Sequence, residues 1–140
     1  MEVEPRLGHR NAAATGSSGL GTTPRATYAR LAKPEIASQI DWSRLHLCFG
    51  DERCVPVTDP RNTFRMVREV LTSHVPLPDE QLYRIRTELT PADAALDYEQ
   101  TLRALLGTDR PDLVFLGLGD DGHTASLFPG HAPVRELVRW

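Results

Sequence analysis

Asp120, Asp121 and His123 bring two carboxylates and an imidazole onto one short stretch that also holds Gly117, Gly119 and Gly122. Carboxylates and imidazoles are the side chains that most often move protons in catalysis, so the stretch reads as a catalytic loop. It continues an apolar run, Leu113 to Leu118, opened by Pro111 and Asp112 and expected as a buried parallel strand. The glycines permit backbone conformations that side chains forbid. In open α/β sheets, ligands sit beyond the carboxyl ends of such strands. A plain strand-to-helix turn with an aspartate cap is the alternative reading of the same residues.

A second group, Gly50-Asp51-Glu52-Arg53, closes the run Arg44 to Phe49, which reads as a central strand. Unpaired charges are costly to bury, so these acids and this arginine either form a structural ion-pair network or face a polar ligand. A third group is Gly19-Leu20-Gly21-Thr22-Thr23-Pro24, a Gly-rich turn entering a helix. Thr22 or Thr23 can cap that helix, and Pro24 suits its first position. Free N–H groups and the positive end of the dipole make such a turn a phosphate site, though a simple capped helix has the same signature.

The elements that must position these groups are legible from spacing. Tyr28, Leu31 and Ala32 share one helical face. Asn62 or Thr63 starts a helix carrying Met66, Val70 and Leu71, and Pro76 and Pro78 break the chain after it. Leu82 to Ile85 reads as a short strand. Thr90, Pro91 and Asp93 start a further helix with Ala94, Ala95, Tyr98, Leu102 and Leu105 along one face, ending at Gly107. This order predicts a doubly wound α/β fold with a mostly parallel sheet and helices on both faces. Residues 1–18 are polar and aperiodic and are expected as a flexible leader containing no strand, with the domain over 19–140.

Composition narrows the function classes. The chain has 140 residues, enough for one core, and a net charge of −3 without a basic run, which argues against nucleic acid. Of its 16 basic residues only Lys33 is a lysine, so arginine must carry recognition of an anion. Cys48 and Cys54 form no CxxC pair and have no histidine at zinc spacing, so free thiols and no metal are expected. No apolar stretch approaches the roughly 20 residues of a membrane span, and no signal-peptide core stands at the N-terminus, so the chain is expected to be cytoplasmic.

Three segments together resemble the 6-phosphogluconolactonase family: Phe49-Gly-Asp-Glu-Arg-Cys-Val-Pro56, the stretch opening Thr63-Phe-Arg-Met, and Leu116-Gly-Leu-Gly-Asp-Asp-Gly-His-Thr-Ala-Ser-Leu-Phe-Pro-Gly130. The resemblance covers about residues 19–140 in unbroken order. It implies hydrolysis of 6-phospho-D-glucono-1,5-lactone to 6-phosphogluconate in the oxidative pentose phosphate pathway, without metal or organic cofactor. It also implies the doubly wound fold shared with glucosamine-6-phosphate isomerases. On this resemblance His123 matches the general base, Asp121 orients it, and backbone N–H groups of Gly119, Asp120, Asp121 and Gly122 stabilise the oxyanion. Gly21, Thr22 and Thr23 match the phosphate loop, and Arg53 is expected on the phosphate or sugar. Asp51 is expected to bond substrate hydroxyls or to hold Arg53.

The family's Ser-Gly-Gly-Ser-Thr-Pro loop has Leu20 in place of a glycine here, which is expected to hinder backbone approach to phosphate. The family's strand before that loop has no apolar counterpart in residues 11–18. Its members are longer, so the chain is expected to be truncated at both ends, leaving apolar sheet edges exposed. A monomer is expected, with those edges the place for any self-association. An amino-sugar-phosphate isomerase or deaminase, and a catalytically silent sugar-phosphate-binding fragment, are the other functions the residues allow.

Overall fold

A computed structural model of the chain describes residues 11–16 and 22–136, with the backbone alone at 11–16 and Thr22. The elements run β1 (Asn11–Gly16), α1 (Thr22–Leu31), α2 (Pro34–Ala37), β2 (Leu45–Phe49), α3 (Thr63–Val67), β3 (Leu82–Tyr83), α4 (Pro91–Leu106) and β4 (Leu113–Leu116). All strand pairings are parallel, in the order β3-β2-β1-β4. Thr15 lies opposite Phe49 and Gly16 opposite Leu116. The carboxyl ends of β1, β2 and β4 therefore stand side by side.

Helices cover both faces of the sheet. Alternation along β2 sends Leu47 and Phe49 one way and Cys48 the other. Leu47 and Phe49 join a core with Tyr28 of α1, Met66 and Val67 of α3, Leu71, Trp42, Val75 and Leu77. Opposite that face, Cys48 meets Tyr98 of α4. The Tyr98 hydroxyl accepts from the Phe49 N–H at 2.7 Å and donates to the Tyr83 carbonyl at 3.1 Å, fastening α4 to the ends of two strands. The expected α/β fold is thus the one formed.

Local chemistry explains the helix boundaries. Thr90 accepts from the Asp93 N–H at 3.2 Å, Pro91 fills the first position, and Gly107 closes α4 at φ 60°, where a side chain would be strained. Asn62 caps α3 by accepting from the Arg65 N–H at 2.9 Å. A single π turn, Arg68–Thr72, extends α3 and brings Leu71 into the core.

Two expectations are corrected. The leader was expected to contain no strand, yet Asn11–Gly16 forms β1 between β2 and β4. Pairing on both sides supplies its hydrogen bonds, so the strand needs no apolar run of its own. The run from Leu113 was expected to be buried, yet Leu113, Val114, Leu116 and Leu118 are exposed, Leu118 at 79%. β4 is an edge of the described sheet, and its Leu113, Val114 and Leu116 stay exposed while Phe115 is half-buried.

Candidate active site

The segment following β4 folds back on itself. Gly122, at φ 81°, allows the turn in which its N–H donates to the Gly119 carbonyl at 2.9 Å and the Gly119 N–H donates to the His123 carbonyl at 2.8 Å. Thr124 and Leu127 then pair across a two-residue turn whose Ala125 has φ 48°. The Thr124 hydroxyl donates to the Gly117 carbonyl at 2.7 Å, anchoring the turn to the end of the strand segment.

This folding brings His123 and Asp121 together. The imidazole Nδ1 hydrogen-bonds Asp121 Oδ1, and the same oxygen accepts the His123 N–H at 3.1 Å. These bonds hold the Asp121 carboxyl below its usual range, the side-chain bond contributing most. One face of the imidazole stacks on Phe128, with centroids 4.6 Å apart and planes at 20°, leaving the His123 side chain 17% exposed. Gly119 makes this packing possible, because a Cβ there would collide with the ring at Nδ1 and Cε1. Nε2 has no partner among the described residues and is the nitrogen left for chemistry.

The other predicted residues are distributed as follows. Glu52 is structural: its carboxylate accepts from the N–H groups of Arg53, Thr63 and Phe64 at 2.7–2.8 Å, completing the cap of α3. Asp51 is 6% exposed and holds Ser126 rather than Arg53, its Oδ2 accepting from the Ser126 hydroxyl at 3.2 Å. Its Oδ1 is buried without a partner. Burial pushes the Asp51 carboxyl up, opposed by the Ser126 bond, by Arg53 and by His123, while Glu52 adds to the rise. The Arg53 side chain makes no hydrogen bond or ion pair among the described residues. Thr23 is exposed in the first turn of α1, whereas Gly21 and the Thr22 side chain lie outside the described residues.

The N–H groups of Gly119 and Gly122 are consumed inside the loop, which corrects their expected role at an oxyanion. The Asp120 N–H has no partner among the described residues. Phe128 and Ser126 carried no sequence signal of their own: one supports His123 from five positions along, and the other reaches Asp51 across 75 positions. Among the described residues no group of three or more His, Cys, Asp or Glu is arranged to hold a metal ion. No helix among them is long and apolar enough to cross a membrane.

A parallel sheet wrapped by helices on both faces, with an Asp-supported histidine beyond one strand's carboxyl end, defines a doubly wound α/β protein with its candidate site at the position such folds use. Residues 3–140 match the family model described as glucosamine-6-phosphate isomerases/6-phosphogluconolactonase, and the chain belongs to that family. The 6-phosphogluconolactonase of Haemophilus influenzae is 41% identical over 109 residues, which cover 78% of this chain and 47% of that protein. The crystal structure of 6-phosphogluconolactonase from Thermotoga maritima superposes with a TM-score of 0.70 at 31% identity, covering 86% of this chain and 52% of that one. That of Trypanosoma brucei gives 0.69 at 31%, covering 91% and 54%. The chain spans about half the length of the relatives it matches.

Proposed function

We propose that the chain hydrolyses 6-phospho-D-glucono-1,5-lactone to 6-phospho-D-gluconate, a step of the oxidative pentose phosphate pathway, in the cytoplasm and without metal or organic cofactor, its catalytic unit a single chain whose exposed sheet edge allows self-association. The observation that carries this reading is the His123–Asp121 pair laid against Gly119. With Nδ1–H donated to the carboxylate, Nε2 keeps its lone pair and can take a proton from water. That water forms a bond to the lactone carbonyl carbon, and the carbonyl electron pair moves onto oxygen. The Asp120 and Asp121 N–H groups are the loop amides not used in backbone bonds, and the Asp120 N–H is proposed to meet that oxyanion. Collapse of the tetrahedral intermediate breaks the carbon–ring oxygen bond, and His123 returns its proton to the departing oxygen. The carboxylic acid then ionises to solvent. Arg53 supplies a guanidinium for phosphate or sugar, with Gly21, Thr22 and Thr23 contributing the phosphate loop.

The names of the relatives at 31–41% identity favour a lactonase over an amino-sugar-phosphate isomerase. The test is lactone hydrolysis by the purified chain above the spontaneous rate, with glucosamine 6-phosphate as the competing substrate. His123→Ala is expected to lower the enzymatic rate by about 10²–10⁴, the usual contribution of a general base, while circular dichroism stays that of the parent. Full turnover in the variant would remove His123 as the base. Conversion of glucosamine 6-phosphate alone would move the chain to the isomerase side, and no acceleration of either reaction by the folded chain would overturn the enzyme reading.

A further inference from the structure

Residues 118–130 carry the proposed base, yet among the described residues one hydrogen bond ties this segment to anything beyond β4 and its immediate continuation. That bond runs from Ser126 Oγ to Asp51 Oδ2 at 3.2 Å. Its two ends are placed differently. Asp51 is buried at the carboxyl end of β2, just before Glu52, whose carboxylate is locked into the α3 cap by three backbone N–H groups. Ser126 sits on the exposed two-residue turn between Thr124 and Leu127, where Ala125 adopts a left-handed backbone that L side chains rarely take. Such a conformation persists only where surrounding contacts hold it.

We infer that Ser126 is a positioning residue, whose hydroxyl latches the His123 loop onto the buried Asp51 carboxylate and so sets where the imidazole stands over the sheet. A carboxylate accepting from a hydroxyl makes a charge-assisted bond, stronger than one between neutral groups. Phe128 and Gly119 shape the surroundings of the ring within the loop, but neither fixes the loop to β2. The latch does, across 75 positions of sequence. Beneath it lies a cavity of about 480 Å³ bounded by Asp51, Ser126, Tyr98, Cys54 and Leu102, so without the bond the turn has open space rather than packed side chains behind it. Asp51 thereby acts through Ser126 on His123, whether or not it also meets substrate.

The catalytic half of this inference rests on the lactonase reading, so its test has two arms. Hydrogen–deuterium exchange on the parent chain, Ser126→Ala and Ser126→Thr reads the latch without any substrate. Faster exchange confined to residues 117–127 in Ser126→Ala, returned toward the parent in Ser126→Thr, is the expected result. Unchanged exchange there, or faster exchange throughout the core, would overturn the latch. Lactone kinetics on the same three proteins should show kcat falling about tenfold in Ser126→Ala, the scale of one lost hydrogen bond to a charged group, with KM little altered and the threonine variant restoring the rate. A rise in KM at constant kcat would overturn the assignment to the base. If the parent chain hydrolyses no lactone while the exchange pattern is as expected, the lactonase reading fails and the latch stands.

Discussion

His123 depends on a residue with no side chain. The imidazole and Asp121 occupy the space into which a Gly119 Cβ would project, and Asp121 Oδ1 lies 2.8 Å from the same point. Gly119 is outside the left-handed region, so alanine there is not forbidden by the backbone. The conflict is between the new methyl and the far ends of two side chains, which can swing away. Gly119→Ala is therefore expected to fold normally and to break the His123–Asp121 pair, lowering kcat/KM by about 10²–10⁴, as loss of a positioned base does. Steady-state kinetics and a thermal melt check both halves, and parent-like kinetics would show that the ring does not pack against this glycine in solution. Asp51 makes a different prediction. Burial raises its carboxyl, so the folded state holds that proton more tightly than the unfolded chain does. Its favourable contribution is complete below the unfolded pKa and is lost as pH rises through the raised folded one. Asp51→Asn keeps an acceptor for Ser126 and removes the charge, so its melting temperature minus the parent's should grow as pH rises above the ordinary aspartate pKa of about 4 and level off once the raised folded pKa is passed. Melts of both proteins at several pH values decide this, and a flat difference would mean that burial does not act on Asp51.

At the level of elements, what could be read from sequence was what local chemistry determines. Thr90, Pro91 and Gly107 fix the ends of α4, Asn62 caps α3, and the burial of Leu47, Cys48 and Phe49 in β2 follows from the apolar run that ends there. The segment Asn11–Gly16 could not be read as a strand, because Asn, Ala, Thr and Gly carry no apolar period and its pairing comes from β2 and β4 far along the chain. The opposite error occurred at Leu113 to Leu116, whose apolar run signals burial that the edge of the described sheet does not provide. Of the site, the juxtaposition of Asp121 and His123 was legible, since two positions on one turn must be close. The division of labour within Gly50-Asp51-Glu52-Arg53 was not. Glu52 turns to α3 and Asp51 to Ser126, choices made by chain segments 11 and 75 positions away.

At the level of the whole molecule, the unequal sides of the sheet decide its behaviour in solution. One edge is the two-residue β3, too short to template another strand, and Tyr83 there also holds the Tyr98 hydroxyl. The other is β4, which offers a full strand edge with Leu113, Val114 and Leu116 exposed, followed by Leu118. Exposed apolar strands of this kind pair with other chains, whereas natural edges are commonly guarded by lysine. The segment 113–118 contains no charged residue. The purified 140-residue chain is therefore expected to self-associate, its weight-average mass in sedimentation velocity rising with concentration. Leu116, 65% exposed and paired opposite Gly16, is the place to test the cause, since most of its side chain already faces solvent. Leu116→Lys is expected to lower the association severalfold, by about 1 kcal/mol or more, because burying its ammonium in a new interface carries a desolvation cost. Its melting temperature at low concentration should stay close to the parent's. A parent chain that sediments as a monomer at every concentration would show that the β4 edge is not available for pairing, and an unchanged Leu116→Lys profile would place the contact on another surface.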